Sequence, residues 1–385
     1  MPFPFRDPSP TLVRRRTVAS ASALGLAAIL LVTSPLAPAT AAPSTVGTIA
    51  YVAEIDGDDE IAIMSADGLR TRVLTDNPGP DRAPSWNSDG SSLVFNSRRA
   101  PHATLPQIYR LDPQTADATR LTTSTSEDQR AALSADGTSL YFQRGVFFAQ
   151  PYNLVELDLS SGTETPLTSD VVTVIWNAAP APSPDGRWLL FQSNRDVPSP
   201  SGPFPQTLYA LDLTTSTITA VPPGDGLDAS DSIDGPRWST DGTEFVYSSG
   251  GRLFIGTASG TDPATWNSAP VTTGDEDSSP SFSPDGSSIV LQTYVEGADP
   301  DGEDDRYLIR VLERSTGEIV TIGEGRTPVW TARTWLPAAD NSTAEPELAA
   351  TGPLALLPTL VVGAGLVGVG LVVARGTLAR RRTSA

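Results

Sequence analysis

Five Asp-Gly pairs at a regular interval are the feature that most constrains how this chain folds. The pairs begin at Asp89, Asp136, Asp185, Asp241 and Asp285, so they recur every 44 to 56 residues. Glycine accepts a positive φ without steric cost, and Asp-Gly between two apolar segments is therefore typical of a tight turn between strands. A period of this length indicates a repeat architecture in which each unit is one small sheet.

The sequence around the pairs repeats as well. Three positions before the aspartate, the five copies carry Trp86, Leu133, Pro182, Trp238 and Phe282. Three positions after the glycine, an apolar segment rich in β-branched and aromatic residues begins, as expected for a strand buried on both faces. Two further short strands complete each unit, which predicts four-stranded antiparallel blades. The shared aromatic position predicts packing between blades rather than a sugar-stacking surface.

These repeats resemble the TolB-type, WD-like propeller repeats, whose hallmark is Pro-x-Trp-Ser-Pro-Asp-Gly followed by an apolar strand. Pro84–Gly90, Pro236–Gly242 and Pro280–Gly286 carry this pattern, and the resemblance covers residues 47–337. It implies an all-β fold, a six-bladed β-propeller of four-stranded antiparallel blades. Prolyl-oligopeptidase propellers resemble the same repeats, but the hydrolase domain that makes them enzymes is missing.

The two ends of the repeat region predict how the ring closes. The first copy begins at its second strand, Ile49–Val52, and the last copy is followed by an inner strand, Thr327–Trp330, without a successor. Joining these two strands gives six complete blades and removes the free sheet edges that invite aggregation. A seven-bladed ring remains the alternative, if an irregular segment hides a blade.

The C-terminus resembles a cell-wall sorting signal of the class E sortases of high-GC Gram-positive bacteria. It carries the pentapeptide Leu348-Ala349-Ala350-Thr351-Gly352, an apolar stretch over 354–374 and the basic residues Arg380–Arg382. The apolar stretch has the length that a transmembrane helix needs, and the arginines favour the cytoplasmic side. The resemblance implies cleavage between Thr351 and Gly352 by a sortase and transfer to peptidoglycan. An ordinary transmembrane anchor is the alternative.

The N-terminus predicts export. Arg14–Arg16, an apolar segment near 19–36 and Ala39-Thr40-Ala41 have the layout of a signal peptide over residues 1–41. The domains are then the signal peptide, the propeller over 47–337, a flexible stalk over 338–347 and the sorting signal over 348–385. We therefore expect the protein outside the cell, in the wall or on the outer face of the cytoplasmic membrane; the sequence leaves open whether export is general or twin-arginine.

Composition excludes several kinds of function. Residues 42–351 hold 18 arginines against 44 acidic residues, a formal net charge of −26, which repels nucleic acid and anionic lipid. The chain has no cysteine, so disulfides, thiol nucleophiles and thiolate metal sites are excluded. Its single histidine, His102, lies in a predicted loop and is not accompanied by a Gly-x-Ser-x-Gly elbow. No cofactor is predicted.

Acidic loops are the remaining candidates for a site. The loops that enter the inner strands and those between the second and third strands emerge at one end of a propeller, and both groups are rich in aspartate. Asp299, Asp301 and Glu303 alternate as oxygen ligands of a calcium site do, although the spacing departs from an EF-hand. The alternative is that the acidic residues of these loops stabilise the backbone of the turns and bind no ion.

Trp176 and Trp266 fall outside the repeat and are predicted to recognise a ligand at the surface. The sequence as a whole predicts a non-catalytic binding scaffold, whose partner is an envelope protein, a peptide or a glycan. A carboxylate-based polysaccharide hydrolase or lyase is the alternative, and a purely structural spacer is the third hypothesis.

Overall fold

In the computed structural model, six four-stranded antiparallel sheets form a closed ring. The structure describes residues 46–99, 104–147, 149–196, 205–227, 231–272, 274, 276–297 and 305–336. The predicted six-bladed propeller is confirmed, and the seven-bladed alternative is wrong for this part of the chain. The predicted signal peptide, stalk and sorting signal lie outside the described residues.

Each of the first three blades runs from an inner strand at the ring centre to an outer strand. Blade 1 contains β24 (Arg326–Thr331), β1 (Thr48–Ile55), β2 (Asp58–Ser65) and β3 (Thr71–Val73). Blade 2 contains β4 (Asp81–Trp86), β5 (Leu93–Ser97), β6 (Gln107–Leu111) and β7 (Ala118–Arg120). Blade 3 contains β8 (Glu127–Leu133), β9 (Ser139–Val146), β10 (Gln150–Asp158) and β11 (Glu164–Pro166).

The other three blades follow the same order. Blade 4 contains β12 (Asn177–Pro182), β13 (Trp188–Ser193), β14 (Thr207–Asp212) and β15 (Thr217–Ala220). Blade 5 contains β16 (Ile233–Trp238), β17 (Glu244–Ser249), β18 (Arg252–Thr257) and β19 (Asn267–Pro270), with a 3-10 turn at Pro263–Thr265 before its outer strand. Blade 6 contains β20 (Asp277–Phe282), β21 (Ser288–Val295), β22 (Arg306–Glu313) and β23 (Ile319–Glu324).

The ring closes as the sequence predicts. β24 pairs antiparallel with β1, and the register places Trp330 opposite Ile49 and Val329 opposite Ala50. Trp330 is 7% exposed and packs in a buried cluster built from blades 1 and 6. Its indole Nε1 donates to the carbonyl of Val46 at 3.1 Å. The last strand is therefore fixed both by its backbone ladder and by a large buried side chain.

The shared aromatic position holds neighbouring blades together. Trp86 Nε1 in blade 2 donates to the carbonyl of Val329 in blade 1 at 3.1 Å. In the same way, Trp238 Nε1 in blade 5 donates to the carbonyl of Ala181 in blade 4 at 3.0 Å. The prediction that these residues pack between blades is confirmed.

Candidate functional site

The six inner strands surround a central cavity of 370 Å³, and each of them contributes to its lining. Every inner strand also has a register shift, a β-bulge, in its pairing with the second strand. At each bulge one residue has a φ between 48° and 64°, and all six of these residues line the cavity: Ala83, Arg130, Ala179, Gly235, Ser279 and Thr327. Bulges of this kind turn backbone and side chains toward a site.

The left-handed conformation costs about 1 kcal/mol for a residue with a Cβ, so the surrounding structure must support it. Side-chain amides from the preceding blade supply part of that support. The backbone N–H of Gly235 donates to Gln192 Oε1 at 3.0 Å, and that of Thr327 donates to Gln292 Oε1 at 2.6 Å. The backbone N–H of Arg130 makes the equivalent bond to Asn96 Oδ1. The cavity wall is therefore held rigidly by contacts between blades.

The cavity is basic although the chain is acidic. Six charged residues line it, four arginines and two aspartates: Arg82, Arg130, Arg237, Arg326, Asp59 and Asp234. Their formal sum is +2, whereas the whole chain carries −19. The ring centre thus differs in charge from the aspartate-rich loops predicted at this end of the ring.

Asp59 forms the first group of charges. Its side chain is 5% exposed and accepts hydrogen bonds from both Arg82 and Arg326, which come from the inner strands of blades 2 and 1. Two guanidinium groups thus compensate one buried carboxylate. Burial without such partners would cost several kcal/mol, so Asp59 serves to order the two arginines at the cavity wall.

Asp234 forms the second group. Arg130 Nη1 in blade 3 lies 2.7 Å from Asp234 Oδ1 in blade 5, so this ion pair reaches past blade 4. Burial alone would raise the pKa of Asp234, but the charge and hydrogen bond of Arg130, with contributions from Gln192 and Arg237, together outweigh burial and hold that pKa below its ordinary value. The charge of Asp234 in turn raises the pKa of Arg130. Both groups are therefore charged at neutral pH.

Arg237 differs from the other three arginines. Among the described residues it has no ion pair within 4 Å, and its Nη1 donates to the carbonyl of Pro236 at 3.0 Å. Burial lowers the pKa of Arg237, and repulsion from Arg130 lowers it further, while attraction to Asp234 opposes both. The positive charge of Arg237 is thus only partly compensated within the cavity.

Several of the described acidic residues at this end of the ring bond within their own blade or to the segment that leaves it. Asp58 Oδ2 accepts from the N–H of Gly79, and Glu60 Oε2 accepts from the hydroxyl of Thr75 at 2.5 Å. Three further acidic residues are bonded to tyrosine, threonine or arginine side chains: Asp305, Asp277 and Asp81. These bonds favour the structural interpretation of the acidic loops.

The calcium ligands predicted at Asp299, Asp301 and Glu303 lie outside the described residues, as does His102. Within the described ranges no group of three or more His, Cys, Asp or Glu side chains is arranged to hold a metal ion. The same part of the chain contains no helix with the length and apolarity to span a bilayer. The pentapeptide Leu348–Gly352 and the apolar stretch over 354–374 also lie outside it.

The prediction that Trp266 recognises a ligand at the surface is wrong. Trp266 is 1% exposed and packs edge-on against Trp188 and Trp238, with ring centroids 5.5 and 5.7 Å apart. The 3-10 turn at Pro263–Thr265, capped by Asp262, directs the indole inward between blades 4 and 5. Trp266 is a core residue because the insertion that carries it folds back over the blade.

Trp176 is half-buried at the junction of blades 3 and 4. Its ring packs against Tyr152 and Phe147, with centroids 5.7 and 5.4 Å away, and Phe147 is 50% exposed. The backbone N–H of Trp176 donates to Asn194 Oδ1 at 2.8 Å. A role of Trp176 in ligand recognition therefore stays a prediction, and its ring lies beside those of Tyr152 and Phe147.

Comparison with known proteins agrees with this architecture. Residues 34–199 match the family model described as TolB beta propeller domain. The structure of TolB from Acinetobacter baumannii superposes with a TM-score of 0.56 at 22% identity, over 74% of this chain and 66% of that one. The putative TolB from Agrobacterium tumefaciens gives 0.52 at 19% identity, over 74% and 92%. The chain thus carries a β-propeller domain that is similar to the TolB propeller.

Two relatives match over shorter stretches. The uncharacterized peptidase YuxL of Bacillus subtilis is 30% identical over 148 residues, 38% of this chain and 20% of that protein. A protein TolB homolog of Chlorobium luteolum is 33% identical over 66 residues, 17% of this chain and 14% of that protein. The chain therefore matches only a minor part of either relative.

Sequence reasoning found the blades but missed the cavity. Five of the six positive-φ residues are followed by proline in the sequence, at Pro84, Pro180, Pro236, Pro280 and Pro328. That recurrence was the one signal for a repeated bulge on the inner strands. The charges had no such signal, because Arg130 and Asp234 are 104 residues apart and occupy different repeat positions.

Proposed function

We propose that this TolB-like propeller is a non-catalytic binding scaffold on the outer surface of the cell, and that its ligand enters the central cavity. The observation that carries the proposal is the cavity itself: six inner strands form a rigid wall, and partly exposed charged groups face the space they enclose. A volume of 370 Å³ lies within the range of small-ligand sites. It admits a small molecule or a chain end, rather than a folded domain.

The charges in the cavity support binding over hydrolysis. A carboxylate pair that hydrolyses glycosides needs one acid whose pKa is raised, so that it donates a proton. Asp234 has a lowered pKa, because Arg130, Gln192 and Arg237 together outweigh the effect of burial, and Asp59 is held by two arginines. The carboxylates of the cavity are thus arranged as counter-ions of arginines, which favours the scaffold over the polysaccharide hydrolase or lyase.

A substitution that fills the cavity tests the binding site. Gln129 lines the cavity and is half-buried, whereas Gln114 is exposed in the loop between β6 and β7 at the opposite end of the ring. We expect Gln129→Trp to reduce capture of envelope components by the immobilised protein at least tenfold, and Gln114→Trp to leave it unchanged. Equal capture by both variants would move the binding site away from the cavity.

The outer-surface location is proposed from the layout of the two chain ends. Thr351 of the pentapeptide is the residue that the sortase resemblance implies is joined to the wall, and Thr359 in the apolar stretch is a matched control. In the native host, Thr351→Ala is expected to shift the protein from the muramidase-released wall fraction to the membrane fraction, while Thr359→Ala has no effect. Release of the unaltered protein by detergent alone would instead support the ordinary transmembrane anchor.

A further inference from the structure

The strongest unassigned feature is the uneven pairing of charges in the cavity. Asp59 takes Arg82 and Arg326, and Asp234 takes Arg130, so three of the four arginines have a carboxylate. Arg237 has none among the described residues. A guanidinium presents planar N–H donors that match the two oxygens of a carboxylate. The arrangement therefore contains one open position for an anion.

We propose that the cavity binds a small carboxylate ligand through the guanidinium of Arg237, whose Nη1 is bonded to the carbonyl of Pro236. This inference rests on the proposed binding role and specifies its ligand chemistry. The cavity volume of 370 Å³ limits the ligand to a small molecule. Its carboxylate completes the pairing that the other three arginines have within the chain.

The charge of the ligand follows from its surroundings. Asp59 and Asp234 already bring two negative charges to the wall, so the formal excess of +2 is spread over four arginines. Arg237 is close enough to Asp234 for their charges to interact, so a compact dianion such as phosphate at Arg237 would bring both of its charges near Asp234, where like charges repel. A dicarboxylate such as succinate separates its two charges, so only one of them lies at Arg237, the guanidinium without an ion pair among the described residues.

The lining offers a second polar group. Thr327 Oγ1 is buried at the cavity wall and has no hydrogen-bond partner among the described residues. Buried hydroxyls are ordinarily bonded, and each exception calls for an explanation. The backbone N–H of Thr327 already donates to Gln292, which fixes the residue in its bulge. A ligand that reaches this side of the cavity would satisfy the hydroxyl.

The test is a titration of the purified full chain with sodium succinate, at an ionic strength matched with sodium chloride and followed by calorimetry. We expect saturable binding, weakened at least tenfold by Arg237→Gln. Arg306→Gln is the matched control, because Arg306 is exposed, pairs with Glu324 and lies outside the cavity lining. It should bind succinate as the unaltered protein does.

A loss of fold is separated from a loss of binding by a second variant. Arg237→Lys keeps the charge and loses the planar fork, so it should bind succinate more weakly than the unaltered protein but melt at a similar temperature without ligand. Inorganic phosphate is titrated in parallel and should bind more weakly than succinate. Phosphate binding as tight as succinate binding overturns the carboxylate assignment.

Absence of succinate binding, or binding that survives in both Arg237 variants, also overturns the inference. The proposed function then still stands if Gln129→Trp abolishes capture of envelope components, since that test does not depend on the charge of the ligand. Conversely, Arg237-dependent succinate binding together with unchanged capture by Gln129→Trp supports the carboxylate site but shows that envelope components bind outside the cavity, against the proposed function. The two failures are therefore distinguishable.

Discussion

Replacement of Trp330 by alanine tests how the ring is closed. Trp330 lies on the last strand, is 7% exposed, and packs in a cluster contributed by blades 1 and 6. A buried tryptophan removes about 200 Å² from water, which at about 25 cal/mol per Å² corresponds to about 5 kcal/mol. Measured Trp→Ala changes in protein cores cost about 3–5 kcal/mol. We therefore expect Trp330→Ala to lower the free energy of unfolding by about 4 kcal/mol.

A second substitution divides that loss into parts. Trp330→Phe keeps an aromatic ring in the cluster but removes the hydrogen bond from Nε1 to the carbonyl of Val46. It should cost about 1 kcal/mol from the lost bond, with a further contribution from the smaller ring. Leu69→Ala is the control, since Leu69 is 82% exposed, and it should change stability by less than about 0.5 kcal/mol.

The assay is equilibrium unfolding in urea followed by far-ultraviolet circular dichroism, which reports on the sheets and is insensitive to the loss of one indole. Purified protein and the three variants are compared at one pH and temperature. A loss below about 1.5 kcal/mol for Trp330→Ala would refute the reasoning, because it lies under half of the transfer and cavity cost of a buried tryptophan. The ring would then be closed by the backbone ladder of β24 alone.

Two other predictions concern the packing around two glycines and the pKa of one carboxyl group. Gly256→Ala should cost more than about 2 kcal/mol in the same urea assay, because the added Cβ would lie 2.1 Å from the ring of Phe245. Gly235→Ala should cost only about 1 kcal/mol, since its φ is 64° and its added Cβ would lie 3.9 Å from the nearest atom. Equal costs for the two substitutions would contradict this prediction. Hydrogen bonds from Ser160 and Ser161 lower the pKa of Asp158 to about 2 from an ordinary 3.8. A depressed pKa stabilises the folded state above pH 3.8 and this stabilisation is lost as pH falls toward 2, so Asp158→Asn should show a smaller drop in urea midpoint between pH 5 and pH 2.5 than the unaltered protein; an identical drop would contradict the assignment.

The blades could be predicted from the sequence because their determinants are local. In the Asp-Gly turns, the aspartate accepts from the N–H two residues later, at 3.0 Å for Asp136 and Thr138 and at 3.1 Å for Asp285 and Ser287. The serine two residues before the aspartate, Ser134 for example, donates its hydroxyl to the same carboxylate. Turn chemistry within five residues, repeated at one period, was sufficient to place the hairpins.

Burial outside the repeat was not predictable in the same way. Trp266 has no counterpart in the other copies, so its sequence position gave no indication of its environment. The structure buries it because a capped 3-10 turn folds the insertion over two blades, where Trp188 and Trp238 leave room for a third indole. Irregular insertions depend on contacts with residues far along the chain, and a repeat pattern contains no information about those contacts.

The sequence by itself determined the hairpins and the pairing of the last strand with the first, and it favoured six blades over seven, since these follow from the repeated turn signals and the incomplete first and last copies. Only the tertiary structure decided which charges meet. Asp59 and Arg326 are 267 residues apart, and Arg130 and Asp234 are 104 apart, yet both pairs line one cavity. Closing the ring brings the six inner strands around a common axis, and this converts an acidic chain into a protein with a basic centre.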